Sequence, residues 1–280
     1  MTNSLKPTRV LVTGAYGLIG NIVFAHLAGR PEEYEPFGMV RRRHPSSRIE
    51  HGDFREIPDD RLRIADLSDA AGVRHAMEGI DVVVHMAADA DGRSGWESVL
   101  QSNIVGVHNV FEAAREAGVR RVVFASTNQV VFGYRADEPS ASAANVNSGD
   151  RAFAPVRHDQ PVRPLNFYAC SKVFGEALAY MYAHVHGMSC ICLRIGWVTA
   201  NDEVMNPTLW CSRRDIIQLV ELCIRAPQEL RYDLFFGQSA NEHNFVDIDH
   251  AREVLGYAPQ DRAEDFIHVR ERADRIREEG

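Results

Sequence analysis

Residues 10 to 20 read VLVTGAYGLIG, an apolar β-branched run that stops at Gly14, carries further glycines at 17 and 20, and opens into the helical period of NIVFAHLAG. A strand that hands over to a helix through three glycines leaves few folds open. The glycines permit a tight turn, a close approach of a bound group to the main chain, and close packing of strand on helix. The alternation recurs along the chain. Short runs such as EYEPFGMV, RLRIADL, DVVVHMAA, RRVVFAS and SCICLRIG take turns with longer helical stretches, among them AAGVRHAMEG, WESVLQSNIVGVHNVFEAAREAG and YACSKVFGEALAYMYAHVHG. The short runs hardly alternate polar with apolar residues, so both their faces are buried, as in a parallel sheet covered by helices. The pattern predicts an α/β fold, a Rossmann-type doubly wound parallel sheet.

The alternation holds to about residue 196. A loop, a helix near 213–225, a short strand YDLFFG and two helical segments follow. This tail is too short for an independent core. It is expected to form a small C-terminal substrate lobe, 197–280, packed on the carboxyl edge of the dinucleotide-binding part, 1–196, as one compact unit. The polar, proline-containing stretch from Tyr134 to Leu165 is longer than an ordinary connection and is either a loop over the site or a flexible insertion.

Composition removes several classes of function. A net charge of -8 without a broad basic face argues against nucleic-acid binding. No stretch approaches the roughly 18 apolar residues of a membrane span, and MTNSLKPTRVLVTG lacks the pattern of a secretory leader, so a cytoplasmic location is expected. Five cysteines without C-x-x-C spacing suggest buried, reduced thiols, with neither a disulfide framework nor a metal site. Of the 31 basic residues only Lys6 and Lys172 are lysines. Wherever an amine itself is required, arginine does not serve.

That scarcity bears on the chemistry. Gly14, Gly17 and Gly20 at the start of a helix let backbone N–H groups meet a pyrophosphate at the positive helix end, which points to a dinucleotide. Tyr168 and Lys172 in FYACSK stand four residues apart and share a helix face. A phenol is a poor base near neutrality, and a neighbouring ammonium favours its phenolate, making a proton acceptor for an alcohol. The pair could also be an exposed helix pair, but the only lysine beyond residue 6 falls here. RVVFASTNQ ends a strand in Ser126, Thr127, Asn128 and Gln129, where hydroxyls either bond a reacting oxygen or cap the strand.

The motifs TGAYGLIG, HMAA, SNIVG, STNQ and YACSK, in this order and spacing, resemble the extended short-chain dehydrogenase/reductase superfamily, in its epimerase/dehydratase branch. FASTNQ, YACSKVFGEALAYMY, LRIGWVT, LWCSRRD and FFGQSAN resemble more closely its uronate and aldose dehydrogenase group, whose members oxidise the anomeric carbon of a free sugar to a lactone and pass a hydride to a nicotinamide. The resemblance implies that Tyr168 is the general base, that Lys172 lowers its pKa and holds the nicotinamide ribose, and that Thr127 orients the substrate hydroxyl. It places Tyr16, Leu18 and Ile19 of the glycine loop, Asp66 and Leu67, Ala87 and Ala88, Asn103 and Ile195 along the cofactor. Asp89, Asn128, Gln129 and Trp197 would face the substrate.

One departure from that group affects the substrate. Uronate dehydrogenases carry an arginine in the loop after RIG that grips the carboxylate. Here the loop reads WVTANDEVMNPTLW, with Asp202 and Glu203 and no arginine, and Asp89 and Asp91 would repel an acid. A neutral sugar or other neutral alcohol is therefore favoured, with Arg213 and Arg214 left as groups that could still reach the site.

Two other functions share these motifs. A nucleotide-sugar epimerase or dehydratase usually has a larger carboxyl-terminal lobe, and a dehydratase needs an acid and a base that Asn128 and Gln129 do not supply. A non-catalytic regulator that senses the redox cofactor is opposed by the intact Thr127, Tyr168 and Lys172. By resemblance, the two long helical stretches also imply a homodimer built on a four-helix interface.

The last feature is RRR at 41–43. Arg41 falls about 20 residues beyond Gly20, at the end of the second strand, where NAD-binding members keep an acidic residue for the ribose hydroxyl. Guanidiniums of Arg41 and Arg42 suit a 2′-phosphate, so NADP is favoured over NAD, the alternative being a solvated charge run.

Overall fold

The computed structural model describes residues 6–49, 54–136 and 154–267. Strand β1 (Thr8–Thr13) leads through the glycine loop into helix α1 (Leu18–Ala28), then β2 (Tyr34–Val40), β3 (Leu62–Ile64), α2 (Ala70–Ala76) and β4 (Val82–His85). A continuous helical stretch follows. It consists of α3 (Trp96–Val99), a π-helical turn (Leu100–Val105) and α4 (Gly106–Glu116). Next come β5 (Arg121–Thr127), the single turn α5 (Gly133–Ala136), α6 (Phe167–His186), β6 (Ser189–Ile195), α7 (Arg213–Arg225), β7 (Tyr232–Gly237) and α8 (Asp249–Leu255). The strands form one sheet in the order β3-β2-β1-β4-β5-β6-β7, with every pair parallel.

The lack of alternation in the strands has the cause the sequence suggests, since β4, β5 and β6 are buried along their whole length. Successive residues feed opposite faces. Val10 and Val12 pack with Phe24, Ile216 and Leu219 under α1 and α7, while Leu11 and Val83 pack with Phe111 and Tyr182 under α4 and α6. Strand β7 pairs with β6 from Cys190↔Tyr232 to Ile195↔Gly237, so the sheet runs on past residue 196 into the segment read as a substrate lobe. The described parts of that segment that follow the carboxyl ends of β6 and β7 are 197–212 and 238–267. Of the stretch Tyr134–Leu165, residues 137–153 lie outside the described residues. Its far end is tied down by backbone bonds from Arg163 N to the Val130 carbonyl and from Val156 N to that of Phe245.

Four of the five cysteines are buried; Cys170 is exposed, because it sits on the outward side of α6. That corrects the expectation of five buried thiols. Among the described residues no helix is long and apolar enough to cross a membrane, and no cluster of side chains could hold a metal ion.

Candidate active site

Helix α6, which carries Tyr168 and Lys172, starts at a defined place because Asn166 caps it. Its Oδ1 accepts from Ala169 N at 2.7 Å, and its Nδ2 donates to Gln129 Oε1 at 2.9 Å, fastening the start of α6 to the turn that follows β5. This brings Tyr168, the second residue of α6, to Thr127, the last of β5, whose side chain hydrogen-bonds the phenol. One turn on, Lys172 Nζ donates to the Ala125 carbonyl at 2.7 Å and lies over the rings of Phe124 and Tyr168, at 5.0 and 5.7 Å from their centroids.

Both ionisable groups are buried, and burial dominates their titration. It pushes the Tyr168 phenol up, with the Thr127 hydrogen bond as the main opposing influence. It pulls the Lys172 ammonium down to about 7, against the neighbouring Glu176 carboxylate. The sequence reading has Lys172 lower the pKa of Tyr168; without ligand, burial is the larger influence on the phenol. The phenol stays above its ordinary range because burial outweighs the Thr127 hydrogen bond, and the Lys172 amine is turned to the Ala125 carbonyl.

The residues assigned to the cofactor gather along the carboxyl edge of the first four strands and of β6. Gly14 has a φ of 66°, and a Cβ built there would stand 2.8 Å from Ala87 Cα; on Gly20 it would stand 2.2 Å from the Gly14 carbonyl oxygen. Gly17 is the N-cap of α1 and offers no side chain, and the first helical turn has no acidic residue. The free N–H groups of Leu18 and Ile19 at this positive end are what a pyrophosphate requires, so the residues present fit a dinucleotide. Tyr16 packs edge-on against Phe54 at 4.9 Å. Ala87 N donates to Thr13 Oγ1 at 3.1 Å, and Ala88 follows it at the rim. Asp66 accepts from Ser68 N and Oγ at 2.9 and 2.7 Å; these bonds, and then Arg41, hold its carboxyl below the usual range. Leu67, next to it, accepts from Asn109 Nδ2 at its carbonyl. Arg41 and Arg42 are exposed directly after β2, whereas Arg43 pairs with Asp59. Ile195 ends β6.

Asn103 sits differently. The π-helical turn carries it inward, where Oδ1 accepts from Asp89 N at 2.8 Å and Nδ2 donates to the Asp89 carbonyl (2.9 Å) and Ser171 Oγ (3.1 Å). Ser171 in turn donates to the Tyr168 carbonyl. Asn103 therefore pins the loop after β4 to the catalytic helix, with both of its polar side-chain atoms taken by protein.

The substrate candidates divide in the same way. Asn128 is buried, and neither its Oδ1 nor its Nδ2 has a protein partner, which leaves a whole amide for a ligand or water. Gln129 is bonded by Asn166. The Asp89 carboxylate accepts from Ser94 Oγ, Ser98 Oγ and Asp91 N, and Asp91 pairs with Arg93. Trp197 is exposed after β6, with its backbone bridged to the strip that carries Trp210. Arg214 pairs with Asp261 and Arg213 donates to the Ala200 carbonyl. A cleft of about 690 Å³ opens between the loop after β4 and the start of α6, lined by Gly92, Arg93, Ser94, Asn166, Phe167 and Cys170.

Sequence reasoning passed over the supports beneath this site. Glu176 stands four residues after Lys172 and forms a buried pair with Arg194. His85 bonds Thr13 Oγ1 through Nδ1 at 2.7 Å, and burial drives it down to about 3, so it is neutral. The spacing Tyr-x-x-x-Lys-x-x-x-Glu was visible and would have identified Glu176.

A family model described as the NAD dependent epimerase/dehydratase family matches residues 10–206. The NAD-dependent glucose-6-phosphate dehydrogenase of Haloferax volcanii is 33% identical over 273 residues, covering 95% of this chain and 98% of that protein. The L-arabinose 1-dehydrogenase (NAD(P)(+)) of the same organism is 33% identical, covering 91% and 97%. Among solved structures, the Y136A mutant of uronate dehydrogenase from Agrobacterium tumefaciens, complexed with NAD, superposes with a TM-score of 0.75 at 30% identity, covering 94% of this chain and 88% of that one.

Proposed function

The chain belongs to the NAD dependent epimerase/dehydratase family, and on that premise we propose that it is a nicotinamide-dependent sugar dehydrogenase that oxidises the C1 hydroxyl of an aldose to a lactone. The observation that carries this is the buried trio of Thr127, Tyr168 and Lys172, set at the carboxyl end of β5 beside a glycine loop shaped for a dinucleotide. Bound nicotinamide supplies the hydride acceptor. Thr127 hydrogen-bonds the substrate hydroxyl, Tyr168 takes its proton, and Asn128 offers its unpartnered amide to the sugar.

Within the relatives' range of substrates, a neutral aldose suits this site better than a uronate. Segment 197–210 contains no arginine, and the Asp89 and Asp91 carboxyls, both held below the ordinary range, remain charged nearby. The finer cofactor choice is NADP, through exposed Arg41 and Arg42 beside Asp66. Exposed Trp96, Phe167, Tyr180 and Val185 on the helices at 96–116 and 167–186 give a second copy an apolar surface, in keeping with a homodimer. The division into a dinucleotide-binding part, 1–196, and a substrate lobe, 197–280, is kept as a functional one, since β7 belongs to the main sheet. A cytoplasmic setting accords with five free thiols.

A spectrophotometric screen at 340 nm with NAD and NADP against neutral aldoses, uronic acids, sugar phosphates and simple alcohols tests the proposal. Turnover of neutral aldoses is expected; equal turnover of glucuronate or galacturonate would overturn the neutral preference, and no turnover of any sugar would overturn the function.

A further inference from the structure

Tyr168, Lys172 and Glu176 follow one another at four-residue spacing on one face of α6, and all three are buried. The third has no part in the chemistry proposed above. Its carboxylate is clamped on both oxygens: Oε1 accepts from Ser126 Oγ at 2.6 Å and from Arg194 Nε at 2.9 Å, and Oε2 accepts from Arg194 Nη2 at 2.9 Å. Ser126 directly follows Ala125, whose carbonyl receives Lys172 Nζ at 2.7 Å. The ammonium and the carboxylate are thus fastened to adjacent residues of β5 and stand one turn apart on α6, away from water.

A buried ammonium without a charged partner gives up its proton. From α6, Tyr168 and Glu176 face Lys172. From β5 come the Phe124 ring and the Ala125 carbonyl, from β4 the neutral His85, and from β6 the Cys192 thiol, which burial keeps protonated. Among these groups Glu176 brings the one carboxylate, and it is the foremost group holding the ammonium against burial.

We infer that Glu176, clamped by Arg194 and Ser126, is a positioning residue that keeps Lys172 protonated, so that the charge beside the base is set from within the core. The inference rests on the reading of Lys172 as the partner of Tyr168. Even with the carboxylate present, burial brings Lys172 down to about 7, so little margin is left once that carboxylate is gone.

The chain offers a direct measurement because it has only two lysines, Lys6 and Lys172. Protein grown on [13Cε]lysine gives two signals, and Lys6→Arg assigns them. In the parent the Lys172 signal should titrate with a midpoint near 7; in Glu176→Gln the midpoint should fall by at least about one pH unit. Should Glu176→Gln fail to fold because Arg194 is left buried and unpaired, the double variant E176Q/R194M removes the whole pair at lower cost and should show the same fall. A Lys172 midpoint equal to the parent's in the folded variant overturns the inference. The titration is read without substrate, so a parent that turns over no sugar would overturn the proposed function and leave this measurement intact.

Discussion

Gly175 lies against Phe124 so closely that a Cβ built on it would stand 2.2 Å from the ring's Cζ. The same ring carries Lys172 Nζ at 5.0 Å from its centroid and stacks on His85 at 5.8 Å. The absent side chain therefore sets how deeply the catalytic helix sits on β5. Gly175→Ala should push α6 outward, with a loss of roughly 1–3 kcal/mol from overpacking. Because Tyr168 and Lys172 move with the helix, kcat should fall on the order of a hundredfold. Chemical denaturation and steady-state kinetics on one preparation check both; a stable variant with parental kcat would show that the ring can yield.

Much of this site could be read in the sequence because its signals are local. The glycines fall within one run of eleven residues, 10–20, and Tyr168 and Lys172 share a helix turn, so spacing together with the scarcity of lysine points to them. What sequence missed depends on pairing across the sheet. Glu176 finds Arg194 only because β6 lies beside β5, and the clasp that Asn103 makes on the Asp89 backbone and Ser171 depends on contacts distant in sequence. Strand β7 was legible as a strand, whereas its place as the seventh member of the main sheet follows from right-handed crossover by α7. The height of the Tyr168 pKa was missed for a different reason: spacing shows a neighbouring amine but not the desolvation that outweighs it.

Lys172 carries a pH signature in stability as well as in activity. Its folded-state pKa, about 7, lies below its ordinary 10.5. Between those values the unfolded chain keeps the proton and the folded chain does not, so stability rises with pH across that window, and the cost of burying the amine is full below it. The limiting slope is about 1.4 kcal/mol per pH unit. Lys172→Met should remove this slope, so its stability relative to the parent is greatest below neutrality and declines toward the alkaline end. Urea midpoints at about pH 7 and about pH 9.5 measure the change; a constant difference between the two proteins would count against the lowered pKa.

Arg41 stands immediately after β2 and its charge acts on Asp66, the residue proposed for the adenosine end of the cofactor. A guanidinium there favours a 2′-phosphate, and a carboxylate favours the 2′-hydroxyl. The parent should bind NADP more tightly than NAD, and Arg41→Asp should reverse the order. Dissociation constants from cofactor titration decide it. Equal affinities in the parent would return the arginine run to the role of a solvated surface.

Tyr168 is the group on which the proposed chemistry depends most. Its phenol is buried and raised above the ordinary value, with the Thr127 hydrogen bond opposing the rise. The base works only as phenolate, so oxidation of an aldose should quicken as pH rises through the alkaline range. Tyr168→Phe deletes one oxygen and keeps the ring over which Lys172 lies, so the helix and the glycine loop should stay in place. Turnover should then fall by at least about 10²-fold to 10⁴-fold, while the dissociation constant for the nicotinamide cofactor changes little. Thr127→Ala should act more weakly and shift the alkaline limb further up, because it removes the main hydrogen bond that opposes burial at the phenol. If Tyr168→Phe keeps parental turnover, the proton leaves by another group and the assignment of the base fails. If it loses cofactor binding as well, the phenol belongs first to the cofactor cradle.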